Sequence, residues 1–310
     1  MLGVSIDSIL LVWAIIEINI LFFIPLIIFI SEWRYRGISG IKYFFIQSLA
    51  SILLLIIILF LNIFKLNNNH LELFLLCSIL WKMGAPPFHL WLLNIIVDLE
   101  WIIFFILSSL QKILPFFILR KMRLTYIDFF IIFSLGVRLI LRFWQTRIKK
   151  ILIISSIFVG AWILASVIFL KRFWLIILLV YSFILFMCVN IFVKNKLSHK
   201  NRILISSITF LEKISVFILL IAMAGIPPLA GFYLKLVVMW GIIRLGNILI
   251  SSFILFSSVI LIYIYRGVFL LSLRNQRFFS FNIHSTKRFN FFNYMGWLLA
   301  APPLFLLVMI

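Results

Sequence analysis

The chain has 310 residues, 65% of them hydrophobic and 12% charged, with a formal charge of +20 at pH 7 and a mean hydropathy of +1.27. Soluble domains carry roughly 45–50% apolar residues, so this composition excludes one and defines an integral membrane protein. The apolar runs lack the polar and apolar alternation that a transmembrane barrel needs, so the spans are helices and the fold class is all-α.

In chain order, apolar stretches that meet the roughly 20-residue requirement of a spanning helix fall at 7–30, 41–64, 71–98, 101–119, 125–141, 148–170, 173–193, 213–245, 247–271 and 291–310. The expectation is a polytopic membrane protein with about ten transmembrane helices. No soluble domain separates the spans, and 1–310 reads as a single integral membrane domain. The longest polar stretch, "RNQRFFSFNIHSTKRFN" at 274–290, is connector-sized and is expected to lie along the membrane surface.

In a soluble protein the positive charge would point to nucleic acid. Its distribution gives a different reading. Numbered alternately, the connectors on one side hold seventeen Lys and Arg residues, running from Arg34 to Arg288, against seven on the other, running from Lys65 to Arg244. That is the positive-inside bias: the first side is the cytoplasm or matrix, and both termini lie opposite.

The N-terminus, "MLGVSIDSILLVWAIIEINI", has an acid before its apolar run, no basic region and no small-residue cleavage site, so it reads as neither signal nor transit peptide. Cys77 and Cys188 lie inside apolar spans and read as small core hydrophobes; two thiols do not make an iron–sulfur ligand set. His89 is the one histidine placed within a membrane segment, so the chain alone does not build a two-histidine haem site. No dinucleotide fingerprint or Walker A loop is present. The chain itself is expected to hold no cofactor and no metal.

Two of the spans, 71–98 and 213–245, are too long for a straight crossing, and each carries Gly-x-Pro-Pro: "KMGAPPFHLW" at 82–91 and "MAGIPPLAGFYLK" at 223–235. Proline removes a backbone donor and clashes with the preceding turn. Gly84 with Pro86 and Pro87, and Gly225 with Pro227 and Pro228, therefore read as helix breaks. Broken helices are tolerated in a bilayer only where protein or a hydrated cavity meets the freed carbonyls, and they mark transport sites near the midplane. The two tetrapeptides also read as repeat marks. They divide the chain into a first repeat at 1–123, a second at 124–271, and a surface connector with a C-terminal helix at 272–310.

Four ionisable residues fall near the midplane. Glu17 lies mid-span in 7–30 and Lys112 deep in 101–119, while Lys82 precedes the first break by two residues and Lys235 follows the second proline pair by seven. Placing such a group there costs roughly 2.5–3.5 kcal/mol on insertion scales, so it faces a bundle interior, pairs, or lines an ion path. Lys112 and Lys235 read as relay groups. Glu17 and Lys82 fit a relay or a static pair that pins two helices. Lys42 reads as a snorkelling anchor, Glu212 and Lys213 as interfacial, and Asp98 and Glu100 as lying between spans.

The segments "WAIIEINILFFIPLI" at 13–27, "IKYFFIQSLASILLL" at 41–55, "KMGAPPFHLW", "QKILP" at 111–115, "QTRIKKILIISSI" at 145–157 and "AGIPPLAGFYLK" come in an ordered series. Together they resemble the NADH dehydrogenase subunit 2 family, the antiporter-like membrane subunits of respiratory complex I, over about residues 11–245. The resemblance implies two inverted helical repeats, each with a discontinuous helix, around a hydrophilic axis. It implies proton translocation, with Glu17 as the buried glutamate, Lys82 its partner, Lys112 the connecting lysine and Lys235 the terminal lysine. In this family electrons pass from NADH to ubiquinone in other subunits. FMN, iron–sulfur clusters and ubiquinone are thus expected in partner subunits. The implied partners are other membrane-arm subunits and lipid, with no nucleic acid. The implied location is the mitochondrial inner membrane, multi-pass, with both termini on the intermembrane-space side and an organelle-encoded gene.

The chain also departs from the family pattern. It begins only a few residues before the Glu17 helix, so a truncated first repeat is expected. Asn94 stands where an acid usually follows the "PFHLW" segment, and "FVGAW" at 158–162 follows "SSI" where a polar pair including histidine is common. A proton wire that needs that histidine would run through water instead. A non-pumping scaffold of the membrane arm and a stand-alone cation/proton antiporter stay open as alternatives. The topology is testable: a single cysteine at Lys196 should react with an impermeant maleimide from the matrix face, and labelling from the opposite face would invert the assignment.

Overall fold

The structure is a computed structural model that describes residues 9–30, 36–64, 69–121, 126–143, 147–170, 173–195, 210–226 and 229–259. The polar stretch 274–290, the crossing expected at 291–310, and Pro227 and Pro228 of the second expected break lie outside the described residues.

Helices follow one another in chain order. They are α1 (Ile9–Ile30), α2 (Arg36–Phe64), α3 (Asn69–Met83), α4 (Leu90–Ile95), α5 (Trp101–Ser108), α6 (Ile113–Lys121), α7 (Ile127–Phe143), α8 (Ile148–Phe169), α9 (Trp174–Lys194), α10 (Phe210–Ala224) and α11 (Ala230–Arg244). A last described helix, α12, covers Ile248–Val259. Among the described residues five stretches are long and apolar enough to cross a membrane: Leu10–Ile30, Gly37–Phe60, Trp101–Arg120, Ile148–Phe169 and Trp174–Lys194. Helix α2 starts at Arg36, ahead of the apolar run at 41, because hydropathy measures the hydrocarbon thickness while the helix continues into the interface. Pro25 sits inside α1 without ending it.

The helices pack as two groups joined by α5 and α6. Helix α2 packs on α1 and α3; α8 packs on α7, α9 and α11; α6 touches both α3 and α8. Within an 18-residue apolar stretch of α8, 89% of the residues are buried, against 28% in that of α1. A helix that is apolar all round belongs in the middle of a bundle, and "SSIFVGAWILAS" at 155–166 supplies the small residues that let neighbours approach. Helices α1 and α2 instead turn Leu21, Phe22, Phe29, Phe45 and Ile52 outward, which is the face lipid or another subunit would meet.

The run 101–119, expected as one straight span, is interrupted by a 3-10 turn at Leu110–Lys112. Pro115 has no N–H for the Gln111 carbonyl, and a tighter i to i+3 turn absorbs the mismatch. The first Gly-x-Pro-Pro segment separates α3 from α4, and Gly84 at its start has φ 65°. A side chain there would be strained by that φ. Its Cβ would also meet the Leu92 Cβ and the Trp91 Cζ2 at 3.2 Å each. Gly84→Ala should cost about 1–3 kcal/mol and lower the midpoint of thermal dissociation of the solubilised protein; an unchanged midpoint would show that this turn tolerates a side chain.

Candidate functional site

Lys82 occupies the last turn of α3. The break that follows exposes carbonyls, and each of three is met from within the protein. The Leu80 carbonyl accepts from the Ala85 amide at 2.9 Å, and the Trp81 carbonyl from the Gly84 amide at 3.1 Å. Trp91 Nε1 also donates to the Trp81 carbonyl at 3.2 Å, and Gln47 Nε2 donates to the Lys82 carbonyl at 3.1 Å. The Trp81 ring stacks on Phe88 with centroids 5.1 Å apart. The C-terminal end of a helix carries partial negative charge, which favours a cation in its last turn.

Lys82 Nζ lies 3.8 Å from Glu17 Oε1, with the lysine side chain 3% exposed and the glutamate 27%. That separation is an ion pair beyond hydrogen-bond length, and neither atom has a hydrogen-bond partner among the described residues. The pair is lopsided: the lysine is enclosed and the carboxylate sits at the rim of α1. His89, buried in the break, has Nδ1 3.2 Å from the Pro87 carbonyl oxygen.

Lys112 closes the 3-10 turn between α5 and α6 and is buried. Its Nζ donates to the Ser156 carbonyl at 3.2 Å and to Ser156 Oγ at 3.1 Å. The residue before it, Gln111, accepts from Asn19 Nδ2 at 2.6 Å, which ties α1 to the turn. A cavity of about 20 Å³ is lined by Asn19, Gln47, Lys82, Gln111 and Lys112 among others, so the first two lysines face one space. A second cavity of about 20 Å³ sets Lys112 against Gly84, Ser134 and Gly160. A water needs roughly 10–15 Å³ of such volume, so each cavity admits one.

Lys235, on α11, folds back on the second interrupted segment and donates to the Ala224 carbonyl, the last residue of α10. Its Nζ lies 5.0 Å from the centre of the Phe158 ring and 5.3 Å from that of Trp162. Gly225, with φ 81°, makes the arrangement possible: a Cβ there would lie 2.7 Å from Lys235 Cδ and 2.9 Å from its Nζ. Lys235 also lines a cavity of about 40 Å³ with Trp162, Tyr181 and Met223. Helix α8 therefore contacts Lys112 through Ser156 and Lys235 through Phe158 and Trp162. Lys235 does not line the cavity that Lys82 and Lys112 share.

Several participants escaped the reading of the sequence. Asn19, Gln47 and Gln111 are polar residues inside apolar spans, and the depth argument applied to charges would have found them. Phe158 and Trp162 gave no signal, since aromatic residues abound in this chain. Glu212, read as interfacial, is buried. It accepts from Lys194 Nζ at 2.6 Å and from Asn195 Nδ2 at 3.2 Å, because the first turn of α10 packs on the end of α9.

A helical membrane protein with charged side chains enclosed at interrupted helices is the architecture of membrane ion translocators. The chain belongs to the NADH:quinone oxidoreductase/Mrp antiporter transmembrane family, whose profile matches residues 7–261. It is similar to NADH-ubiquinone oxidoreductase chain 2 of Anopheles gambiae, with 31% identity over 274 residues covering 84% of this chain and 79% of that one. Chain 2 of Locusta migratoria is 29% identical, covering 89% of this chain and 83% of that one. Among solved structures, a chain of respiratory complex I from Thermus thermophilus shares the fold with TM-score 0.71 at 19% identity, over 87% of this chain and 66% of that one. A chain of the Mrp complex from Dietzia sp. gives TM-score 0.62 at 15% identity, over 75% of this chain and 50% of that one. This chain thus spans less than two thirds of either structural relative.

Removing one member of an enclosed ion pair costs more than removing both, by roughly 3–5 kcal/mol for the orphaned charge. Glu17→Leu should therefore lower thermal stability more than Glu17→Leu combined with Lys82→Met. Equal losses in a thermal dissociation assay would mean the two groups are uncoupled.

Proposed function

We propose that this chain is a proton-translocating membrane subunit of an NADH:ubiquinone oxidoreductase of the complex I type, with about ten crossings arranged as two inverted repeats. The observation that carries the reading is the succession of enclosed polar groups. Glu17 pairs with Lys82, Lys82 shares a water-sized cavity with Lys112, and Lys112 is held by the helix that carries the Lys235 contacts. The similarity to chain 2 of insect NADH-ubiquinone oxidoreductases supports the assignment to the mitochondrial inner membrane and to a complex with other membrane-arm subunits, while the excess of Lys and Arg on alternate connectors supports both termini on the intermembrane-space side.

In this reading Glu17 stabilises the ammonium form of Lys82. When a neighbour neutralises Glu17, Lys82 loses its counter-charge and yields a proton into the cavity toward Lys112. Ser156 accepts from Lys112 through its carbonyl and hydroxyl oxygens, and α8 carries the next contact to Lys235. The electron chemistry belongs to the partner subunits, where FMN, iron–sulfur clusters and ubiquinone supply the redox steps. Lys112→Met or Lys235→Met, introduced separately, should lower proton transport by the reconstituted complex several-fold while NADH oxidation and assembly persist. Full transport in both replacements would rule the relay out and leave a scaffold.

A further inference from the structure

Ser156 and Gly160 stand four residues apart on α8, so they lie one above the other on the same face of the helix. That face meets Lys112. The amine of Lys112 donates to the carbonyl and the hydroxyl oxygen of Ser156, and one turn further along α8 the missing side chain of Gly160 leaves open space: a Cβ built there would meet nothing within 4 Å. The space belongs to the cavity of about 20 Å³ that Lys112, Ser134 and Gly160 line together, with Phe116, Ala161 and Leu164 forming an apolar wall. A wholly apolar cavity of this size stays dry, whereas one bordered by polar groups takes a water. Lys112 and Ser134 are both buried, at 7% and 2% exposure.

We propose that Gly160 keeps open a site for one water between Lys112 and Ser134, and that this water orients the amine of Lys112, which makes Gly160 and Ser134 positioning residues of the relay. The proposal deepens the relay reading above and rests on it. A lysine nitrogen has four positions, one of them bonded to Cε, and the two oxygens of Ser156 take two more. The last position is an N–H when the amine is charged and a lone pair when it is neutral. A water serves either, accepting from the first and donating to the second.

Ser134 Oγ donates its own proton to the Ile131 carbonyl at 2.7 Å, so its oxygen is left to accept. With Lys112 charged, the water accepts from Nζ and donates to Ser134; with Lys112 neutral, it donates to both. Two polar partners meet the minimum for a buried water, and both are kept in either charge state. The lysine therefore stays on Ser156 throughout, and the water is what turns. The stretch "FVGAW", which stands where the family commonly has a polar pair including histidine, supplies through Gly160 the room that a water needs.

The test uses the complete complex. The Cβ of Gly160→Ala enters the cavity without touching the protein, and alanine favours a helix over glycine. Gly160→Ala should therefore leave the thermal midpoint of the complex unchanged or raised. In liposomes that report both NADH oxidation and internal acidification, it should cut the protons moved per NADH by roughly two-fold or more, a modest share of what losing one hydrogen bond to a charged group supports. Ser134→Ala should lower the ratio in the same direction. Electron cryo-microscopy of the parent should show a water within hydrogen-bond reach of Lys112 Nζ and Ser134 Oγ, and Gly160→Ala should lack it. A dry cavity in a parent map that shows waters elsewhere in the membrane arm overturns the site. A Gly160→Ala variant that loses stability, oxidation and transport together at an unchanged ratio needs its glycine for packing alone, which overturns it too. If Gly160→Ala does not assemble, Ser134→Ala decides by the same ratio. Lys112→Met separates the two levels: transport unchanged there refutes the relay, whereas transport lost there with the parent ratio kept in Gly160→Ala refutes only the role of the water.

Discussion

A backbone carbonyl without a donor is what the interior of a bilayer tolerates least, and the arrangement around the interrupted helices follows from meeting that demand. At the first break the donors are two local amides, the indole of Trp91 and the amide of Gln47. At the second, the Ala224 carbonyl is met by the ammonium of Lys235. The same helix end that must be satisfied is also partly negative, so it draws a cation at no extra electrostatic cost. Helix breaking and lysine placement are thus one structural solution, and the charges sit where the backbone has use for them.

Helix α8 gives this solution its geometry. Its neighbours on several sides close in because Ser155, Ser156, Gly160, Ala161, Ala165 and Ser166 are small. That closeness brings Ser156 within reach of Lys112 and puts the two rings on Lys235. A bulkier sequence along this helix would separate the elements that carry the lysines. Packing in the absence of a hydrophobic drive between helices relies on such close approach, and here the same contacts that hold the bundle together also set the polar groups.

Much of this was legible beforehand. Glu17, Lys82, Lys112 and Lys235 stood out because a charge in an apolar run is costly, and the structure encloses or pairs each of them. The first interruption was legible from Gly84, Pro86 and Pro87, whose backbone chemistry is local. The 3-10 turn at Lys112 was not, although Pro115 pointed to it, because one proline is also compatible with the unbroken α1 around Pro25. The cover over Glu212 was not legible, since position in a sequence gives depth along a helix and says nothing of the neighbour, here α9, that packs on it. The rings at Phe158 and Trp162 were invisible for the same reason: a contact between distant segments is a property of packing, and 17% of the chain is aromatic.

The lopsided pair at the start of the row carries a further consequence. Lys82 is sealed within the bundle, whereas Glu17 keeps an open flank on α1 beside the outward-facing Ile18 and Leu21. Whatever covers that flank sets how well the carboxylate is solvated, and through it how firmly the lysine is held. A neighbouring chain that shifts by a few ångströms over α1 would act on the interior as a finger acts on a dimmer, altering a sealed charge without entering the space around it.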